Sequence, residues 1–280
     1  MTFRYAFNTW AYSSFPVWVP SYTLDEAIRR IARIGYDGIE IGCAAPHAWP
    51  AHLGGERRRQ LRALMKDQGL EPVSLLPAPG GGPGNNPTSP LPEERAATIA
   101  HYKEVVDLAA DLGASRVLYI AGWRVFGTRQ PAAWDWSVQA LTAIALHAAT
   151  RGVTIVVEPT AADSNLVETA GDALQLRAQS GQPNVKVMFD TYHALHRSEV
   201  SSDYVYEMAE HLGHVHLADT DRLPPGEGEV HWPSVLQALK DVKYDGFLTM
   251  EIGFNTRRAD PDRYAARALS YLKGVEAALT

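Results

Sequence analysis

Cysteine is almost absent from this 280-residue sequence, in which Cys43 is the only one. A single cysteine cannot form an internal disulfide, and such scarcity is typical of reducing compartments. The sequence also has no apolar run of about 18 residues, and its first residues, MTFRYAFNTWAY, have no charged-then-apolar leader. We therefore expect neither a signal peptide nor a membrane span, and a cytoplasmic location.

Clustered positive charge is absent as well. The formal net charge is −6, and no long basic run occurs. Nucleic acids and anionic membranes are poor partners for such a chain, since both are bound by clustered basic residues. With 46% hydrophobic residues, the chain can bury a large core, and its length fits one barrel domain as well as two small ones.

A regular alternation of apolar strand, polar loop and amphipathic helix runs through the chain, which is typical of α/β proteins. It predicts a (β/α)₈ TIM barrel in which residues 1–280 form one domain. The predicted strands are 4–8, 38–41, 71–76, 115–120, 153–158, 185–190, 213–219 and 246–251. The predicted helices are 23–34, 56–68, 93–112, 133–150, 169–180, 200–211, 233–242 and 261–278. One long Gly/Pro-rich loop spans residues 77–92, a length that usually indicates a functional or mobile segment.

The last four predicted strands each carry a metal-ligating residue at or near their carboxyl ends: Glu158, Asp190, His216 and Glu251. Side chains at these ends converge at the top of a barrel, where active sites of this fold lie. Three carboxylates and an imidazole suit Mn²⁺, Co²⁺, Mg²⁺ or Fe²⁺, and Zn²⁺ also accepts them. Each residue alone could simply end a strand and face water, but four in succession favour one divalent metal site.

Two glutamates at one metal also indicate acid–base chemistry. One can take a proton from a carbon beside a carbonyl while the ion holds the enediolate, and the other can return a proton to the opposite face. Two histidines lie nearby in the sequence. His214 points the same way as His216 and is interpreted as a core residue one layer lower. His193 is placed in a loop, where it reaches substrate more easily than metal.

Several motifs resemble, in order, the xylose isomerase-like barrels of the sugar phosphate isomerase/epimerase superfamily, and especially the ketose 3-epimerases acting on D-tagatose, D-allulose and fructoselysine. These motifs are GYDGIEI with PHAW, VVEP with SNLVET, FDTYH, HVHLAD, LPPGEGEVHW and MEI. The resemblance covers almost the whole chain. It implies a cytoplasmic, metal-dependent isomerase of carbohydrate metabolism that inverts C3 of a ketose or ketose derivative through a metal-bound cis-enediolate.

The resemblance also implies residue roles. Glu158, Asp190, His216 and Glu251 would bind one divalent ion, Mn²⁺ or Co²⁺ before Mg²⁺, and Glu158 and Glu251 would be the catalytic acid–base pair. His193 and Arg222 would hold the carbonyl end of the substrate. The sequence departs from the tagatose-type pattern at Ser164, where those enzymes have a glutamate, and the neighbouring Asp163 is a candidate replacement. Members of this group are commonly homodimers or homotetramers.

The remaining substrate contacts are expected from the first half of the chain. Asn8, Trp10, Trp49 and Trp123 follow strand ends, and aromatic faces suit the apolar face of a sugar. His47, in PHAW, is a further substrate-binding candidate because loops at this end of a barrel carry function. GGGPGNN lacks the Lys–Ser/Thr ending of a phosphate-binding loop. We therefore expect an unphosphorylated sugar.

Other functions remain open at this stage. Proton abstraction beside a carbonyl, with a leaving group one carbon further on, gives β-elimination, so a lyase acting on a keto sugar or 3-keto glycoside, of the inosose dehydratase or C-glycoside deglycosidase type, is the alternative. A non-catalytic sugar-binding protein would have no need for two opposed glutamates. A nuclease on this barrel would use several metals and take ligands from strands two to four as well, but strands three and four end here in LLPAP and YIAGW, which supply none.

Overall fold

The computed structural model describes residues 2–13, 21–77, 84–254 and 256–279. Eight parallel strands follow one another in sequence order and close into a barrel. The strands are β1 (Arg4–Asn8), β2 (Gly38–Cys43), β3 (Glu71–Pro77), β4 (Arg116–Ile120), β5 (Thr154–Glu158), β6 (Val185–Asp190), β7 (Leu212–Leu217) and β8 (Phe247–Met250). The predicted (β/α)₈ barrel is confirmed.

The register of the barrel brings the carboxyl ends of neighbouring strands to one level. Asp190 in β6 is paired with His216 in β7, and Leu217 is paired with Met250 at the end of β8. The ladder continues one residue further, since the Glu251 N–H donates to the Leu217 carbonyl over 3.2 Å. Hydrogen bonding between strands therefore determines the spacing of the side chains that the sequence placed at strand ends.

Nine α-helices occur in the described part of the chain, one more than the sequence predicted. They are α1 (Leu24–Ile34), α2 (Gly55–Asp67), α3 (Pro92–Leu112), α4 (Gln130–Thr150), α5 (Ala170–Ser180), α6 (Thr191–His196), α7 (Ser201–Met208), α8 (Trp232–Asp241) and α9 (Pro261–Ala278). Short 3₁₀ turns lie at Thr9–Tyr12, Pro50–His52, Ala209–His211 and Thr220–Arg222.

The additional helix is α6, and it corrects the placement of His193 in a loop. The Asp190 side chain accepts a hydrogen bond from the Tyr192 N–H over 2.8 Å, so the helix starts directly from the end of β6. Ser198, with φ 58°, turns the chain after it. His193 is consequently held on a helix, which gives its ring a defined direction.

A buried carboxylate lies away from the barrel mouth. Glu276 of α9 accepts hydrogen bonds from the Phe3 N–H (2.7 Å) and the Tyr5 hydroxyl (2.9 Å), so this carboxylate joins the last helix to the first strand.

Residues 78–83 of the predicted long loop lie outside the described residues. In the described part of the chain, none of the helices has the length and apolarity needed to cross a membrane.

Candidate active site

Four side chains meet at the carboxyl ends of β5 to β8. Glu158 ends β5, Asp190 ends β6, His216 lies in β7 and Glu251 follows β8. One ligand atom from each lies within 4.8 Å of the others, and all four residues are buried. The structure therefore brings together the four residues that the sequence selected as metal ligands.

The His216 ring has a buried nitrogen directed at the carboxylates. Its Nδ1 lies 3.3 Å from Glu251 Oε2 and 3.7 Å from Glu158 Oε1, yet it makes no well-aligned hydrogen bond within the described residues. Buried polar atoms normally have a hydrogen-bond partner. A divalent cation between these groups would take the Nδ1 lone pair and the carboxylate oxygens as its ligands. The donor set fits one such cation.

Charge crowding at the cluster leads to the same conclusion. Burial raises the pKa of Glu158 well above its usual range, and the Glu251 and Asp190 carboxylates raise it further against the opposing effect of His216. Burial and Glu251 also raise the pKa of Asp190, although Arg222 opposes them. Carboxylates this close and this dry repel one another, so positive charge between them is strongly favoured.

Arg222 reaches further into this cluster than the sequence indicated. Its Nη1 donates to Glu251 Oε2 and lies 3.3 Å from Asp190 Oδ2, while its guanidinium carbon stacks 4.2 Å from the centre of the Tyr192 ring. Burial raises the pKa of Glu251, but Arg222 and His216 outweigh it and lower that pKa to about 2. Arg222 thus supplies positive charge to the same oxygens that a cation would use.

His193 presents an N–H group to the cluster. The Ala162 N–H donates to His193 Nδ1 over 3.3 Å, which favours the neutral tautomer with its proton on Nε2. Nε2 lies 3.8 Å from Glu158 Oε1 and 3.5 Å from Arg222 Nη2. Burial, assisted by Arg222, lowers the pKa of His193 to about 3. The ring is therefore neutral near pH 7 and can donate to a substrate oxygen.

The β5–α5 loop directs Ser164 and Asp163 to different surroundings. Ser164 is buried, and its hydroxyl donates to the Gly122 carbonyl over 2.6 Å, which joins this loop to the one after β4. Asp163 instead faces the cluster, with Oδ2 3.8 Å from His193 Nε2 and 3.9 Å from Arg222 Nη2. Its side chain is 62% exposed, so it lies at the mouth. Its role toward substrate stays a prediction.

Asp219 organises the loop that carries Arg222. Asp219 is not among the site residues predicted from the sequence. The carboxylate is fully buried. It accepts four hydrogen bonds of 2.9–3.0 Å, from the N–H groups of Thr220, Gly226 and Val230 and from Trp232 Nε1. A Cβ at Gly226, where φ is +91°, would lie 2.6 Å from the Tyr271 ring. The signal in the sequence was an aspartate preceding a PPG turn.

A second buried group lies below the cluster, on the barrel side of His216. Glu40, in the middle of β2, lies within hydrogen-bond distance of both His214 and His216. His214 is fully buried, as the sequence indicated. Burial lowers the pKa of His214 to about 4 against the opposing effect of Glu40. Glu40 gave no functional signal in the sequence, because a charged residue within a strand is usually taken as solvent-facing.

The front-half candidates occupy varied positions. Asn8 is buried, and its side chain donates to Glu40 and accepts from the Trp10 N–H. Trp10 packs against the small apolar cluster formed by Leu76, Leu118, Val156 and Met188. His47 is buried, with Nε2 3.0 Å from the Tyr22 carbonyl. Trp123 is 44% exposed. Substrate contact by these residues stays a prediction.

Comparison with known proteins agrees with the barrel. A family model described as a xylose isomerase-like TIM barrel matches residues 28–275. The chain belongs to this family. The match begins within α1 and ends within α9, so it includes every member of the four-residue cluster.

Several sugar epimerases match most of this chain. This chain is 26% identical over 260 residues to a fructoselysine 3-epimerase of Shigella flexneri, and the alignment covers 90% of this chain and 93% of that one. It is 28% identical over 233 residues to a D-psicose 3-epimerase of Ruminiclostridium cellulolyticum, covering 80% and 76%. The chain is thus similar to ketose 3-epimerases over most of its length.

A solved structure has the same fold. The D-psicose 3-epimerase of Clostridium cellulolyticum H10, in a structure with D-tagatose, superposes with a TM-score of 0.84 at 22% identity. The alignment covers 97% of this chain and 99% of that one. At this identity the likeness concerns the barrel, and the assignment of substrate rests on the site.

Proposed function

We propose that the protein is a divalent-metal-dependent epimerase that inverts C3 of a ketose or ketose derivative. One observation carries the proposal. Glu158 ends β5 and Glu251 follows β8, and the two strands between them carry Asp190 and His216. The two glutamates therefore approach one point from different sides of the barrel mouth, as inversion of a carbon requires.

One cation, Mn²⁺ or Co²⁺ before Mg²⁺, would be held by Glu158, Asp190, His216 and Glu251, which offer hard oxygens and one imidazole. When bound, it supplies positive charge that stabilises the negative charge developing on the substrate oxygens. One glutamate removes the C3 proton, and the other donates a proton to the opposite face of the planar carbon. The burial of both carboxylates excludes water that would compete for these protons.

The substrate carbonyl end would lie against His193, Arg222 and Asp163. In the tautomer that carries its proton on Nε2, the neutral His193 ring donates to the substrate, and the Arg222 guanidinium, with Nη2 3.5 Å from Nε2, offers further donors. Asp163 accepts, so it selects hydroxyl groups at the mouth. Donors placed where negative charge develops favour the transition state over the bound ketose.

The test offers the metal-loaded protein fructose, allulose, tagatose and sorbose, together with a 3-keto glycoside, and identifies the products. Inversion at C3 of one ketose is expected. Glu158→Gln and Glu251→Gln should each lower turnover by about 100- to 10,000-fold, because each removes a proton-transfer group. The matched control is Glu276→Gln, the same change at a buried carboxylate in α9.

Two outcomes would overturn the proposal. Release of an aglycone from the 3-keto glycoside, without inversion of any ketose, would assign the site to β-elimination. Turnover at the wild-type rate in either active-site glutamine variant would remove that glutamate from proton transfer. Denaturation curves of all three variants separate loss of chemistry from loss of fold.

A further inference from the structure

The buried group below the cluster contains a carboxylate that no proton-transfer or ligand role uses. Glu40 is fully buried in β2. Its Oε1 accepts from Asn8 Nδ2 over 2.6 Å. Its Oε2 accepts from Ser74 Oγ over 2.5 Å and lies 2.9 Å from His214 Nε2. An ionised group in this position is costly unless partners from several strands satisfy it, as β1, β3 and β7 do here.

Glu40 also touches His216, the imidazole of the proposed metal site. His216 Nε2 lies 2.8 Å from Glu40 Oε1, although the ring N–H is not well aligned with that oxygen, and no better-aligned acceptor serves this nitrogen among the described residues. A separation of 2.8 Å is nevertheless the usual donor–acceptor distance of a hydrogen bond between a ring nitrogen and a carboxylate. With Nε2 facing Glu40, Nδ1 faces Glu251 at 3.3 Å.

We propose that Glu40 is a positioning residue for the metal site: it holds the His216 proton on Nε2 and keeps the Nδ1 lone pair directed at the cation. The inference rests on the proposed function, since it needs a cation at the cluster. Metal-bound histidines commonly donate their other ring N–H to a carboxylate, which orients the ring and strengthens the ligand.

The same three residues, Glu40, His214 and His216, are close enough to be considered as a second cation site. The hydrogen bonds argue against this. Both Glu40 oxygens already accept well-aligned bonds from Asn8, Ser74 and His214. A cation at Glu40 would have to displace these donors from a site that water does not reach. The network therefore matches a rigid support better than an additional metal centre.

Glu40→Gln tests the role directly, because it keeps size and removes charge. Whichever way the amide is turned, its NH₂ group faces donors that the carboxylate satisfied. The dissociation constant for Co²⁺, measured by calorimetry, should rise about 10- to 100-fold, as expected for loss of an outer partner of a metal-bound histidine. Glu276→Gln serves as the matched control, and its Co²⁺ affinity should equal that of the wild type.

A second measurement needs no variant. In the wild-type protein loaded with Zn²⁺, long-range ¹H–¹⁵N spectra should show His216 bound to metal through Nδ1 and protonated on Nε2. A ring bound through Nε2 would overturn the inference even if Glu40→Gln did not fold. Unchanged Co²⁺ affinity in a folded Glu40→Gln protein would overturn it as well.

The stoichiometry distinguishes the remaining cases. Two cations per wild-type chain, falling to one in Glu40→Gln, would make Glu40 a ligand and contradict the positioning role. Failure of the wild type to bind Co²⁺ or Zn²⁺ would overturn both this inference and the metal requirement of the proposed function. Tight binding that Glu40→Gln leaves intact would overturn the inference alone.

Discussion

Asp219→Asn should destabilise the protein without creating a cavity, because the two side chains have the same shape. Each Asp219 oxygen accepts two hydrogen bonds: Oδ1 from Thr220 and Val230, and Oδ2 from Gly226 and Trp232. In asparagine one oxygen becomes an NH₂ group. Whichever way the amide is turned, two of the four donors lose their acceptor and face another donor.

The expected magnitude follows from this count. A hydrogen bond to a charged group contributes about 1.5–3 kcal/mol, so two lost bonds correspond to roughly 3–6 kcal/mol of unfolding free energy. Rehydration of the N–H groups nearest the surface reduces this loss toward the lower value, whereas Trp232 is 1% exposed and cannot be rehydrated without moving. We therefore expect a loss of about 3 kcal/mol.

Chemical denaturation of the wild type, Asp219→Asn and Asp245→Asn measures the effect. Asp245 is exposed, so the same substitution there should change stability by less than about 0.5 kcal/mol. Since the loop also carries Arg222, Asp219→Asn should raise KM for the ketose as well. A loss below about 1 kcal/mol, with KM unchanged, would show that Asp219 does not organise the loop.

Further predictions follow from the charges and from the buried tyrosines. Arg222→Met should raise KM yet bind Co²⁺ about tenfold tighter in calorimetry, because the guanidinium and the cation use the same oxygens of Asp190 and Glu251, and the hydrogen bond that is lost carries about 1.5 kcal/mol or more; weaker Co²⁺ binding would place Arg222 in support of the metal. Burial raises the pKa of Tyr102 and Tyr119 above the ordinary value of about 10. Because the folded state holds these protons more tightly, their contribution to stability is fully present below the ordinary pKa of about 10 and is lost as pH rises from there towards the raised folded-state pKa. Ultraviolet titration should therefore show these phenols ionising only together with unfolding, and reversible ionisation of the whole tyrosine set in the folded protein would contradict this.

Strand periodicity and strand-end chemistry were sufficient to predict the barrel and the cluster from the sequence. Glu158, Asp190 and Glu251 follow apolar runs, and in a parallel barrel that position alone brings side chains together. Helix α6 was missed because a helix of six residues that begins directly at a strand end has no apolar periodicity of its own. Its N-cap is Asp190, a residue already assigned to another role.

Roles that depend on contacts between residues far apart in the chain could not be predicted from the sequence. Glu40 is separated from His214 by 174 positions, and only barrel closure places them 2.9 Å apart. The choice between Asp163 and Ser164 depends on a local turn, in which the Ser164 N–H donates to the Thr160 carbonyl over 2.7 Å and turns the serine inward. The substrate-binding role of Arg222 stays a prediction, and its contact with two proposed ligands could not be predicted from the sequence.

The position at which solvent deuterium enters the substrate tests the central claim most directly. The metal-loaded protein is incubated in D₂O with the ketose that it converts, the metal is removed, and the sugars are analysed by NMR. The account predicts one deuterium at C3 of the inverted ketose, because proton removal and return both occur at that carbon. Deuterium at C1 alone, or inversion at C3 without any deuterium, would contradict proton transfer by Glu158 and Glu251.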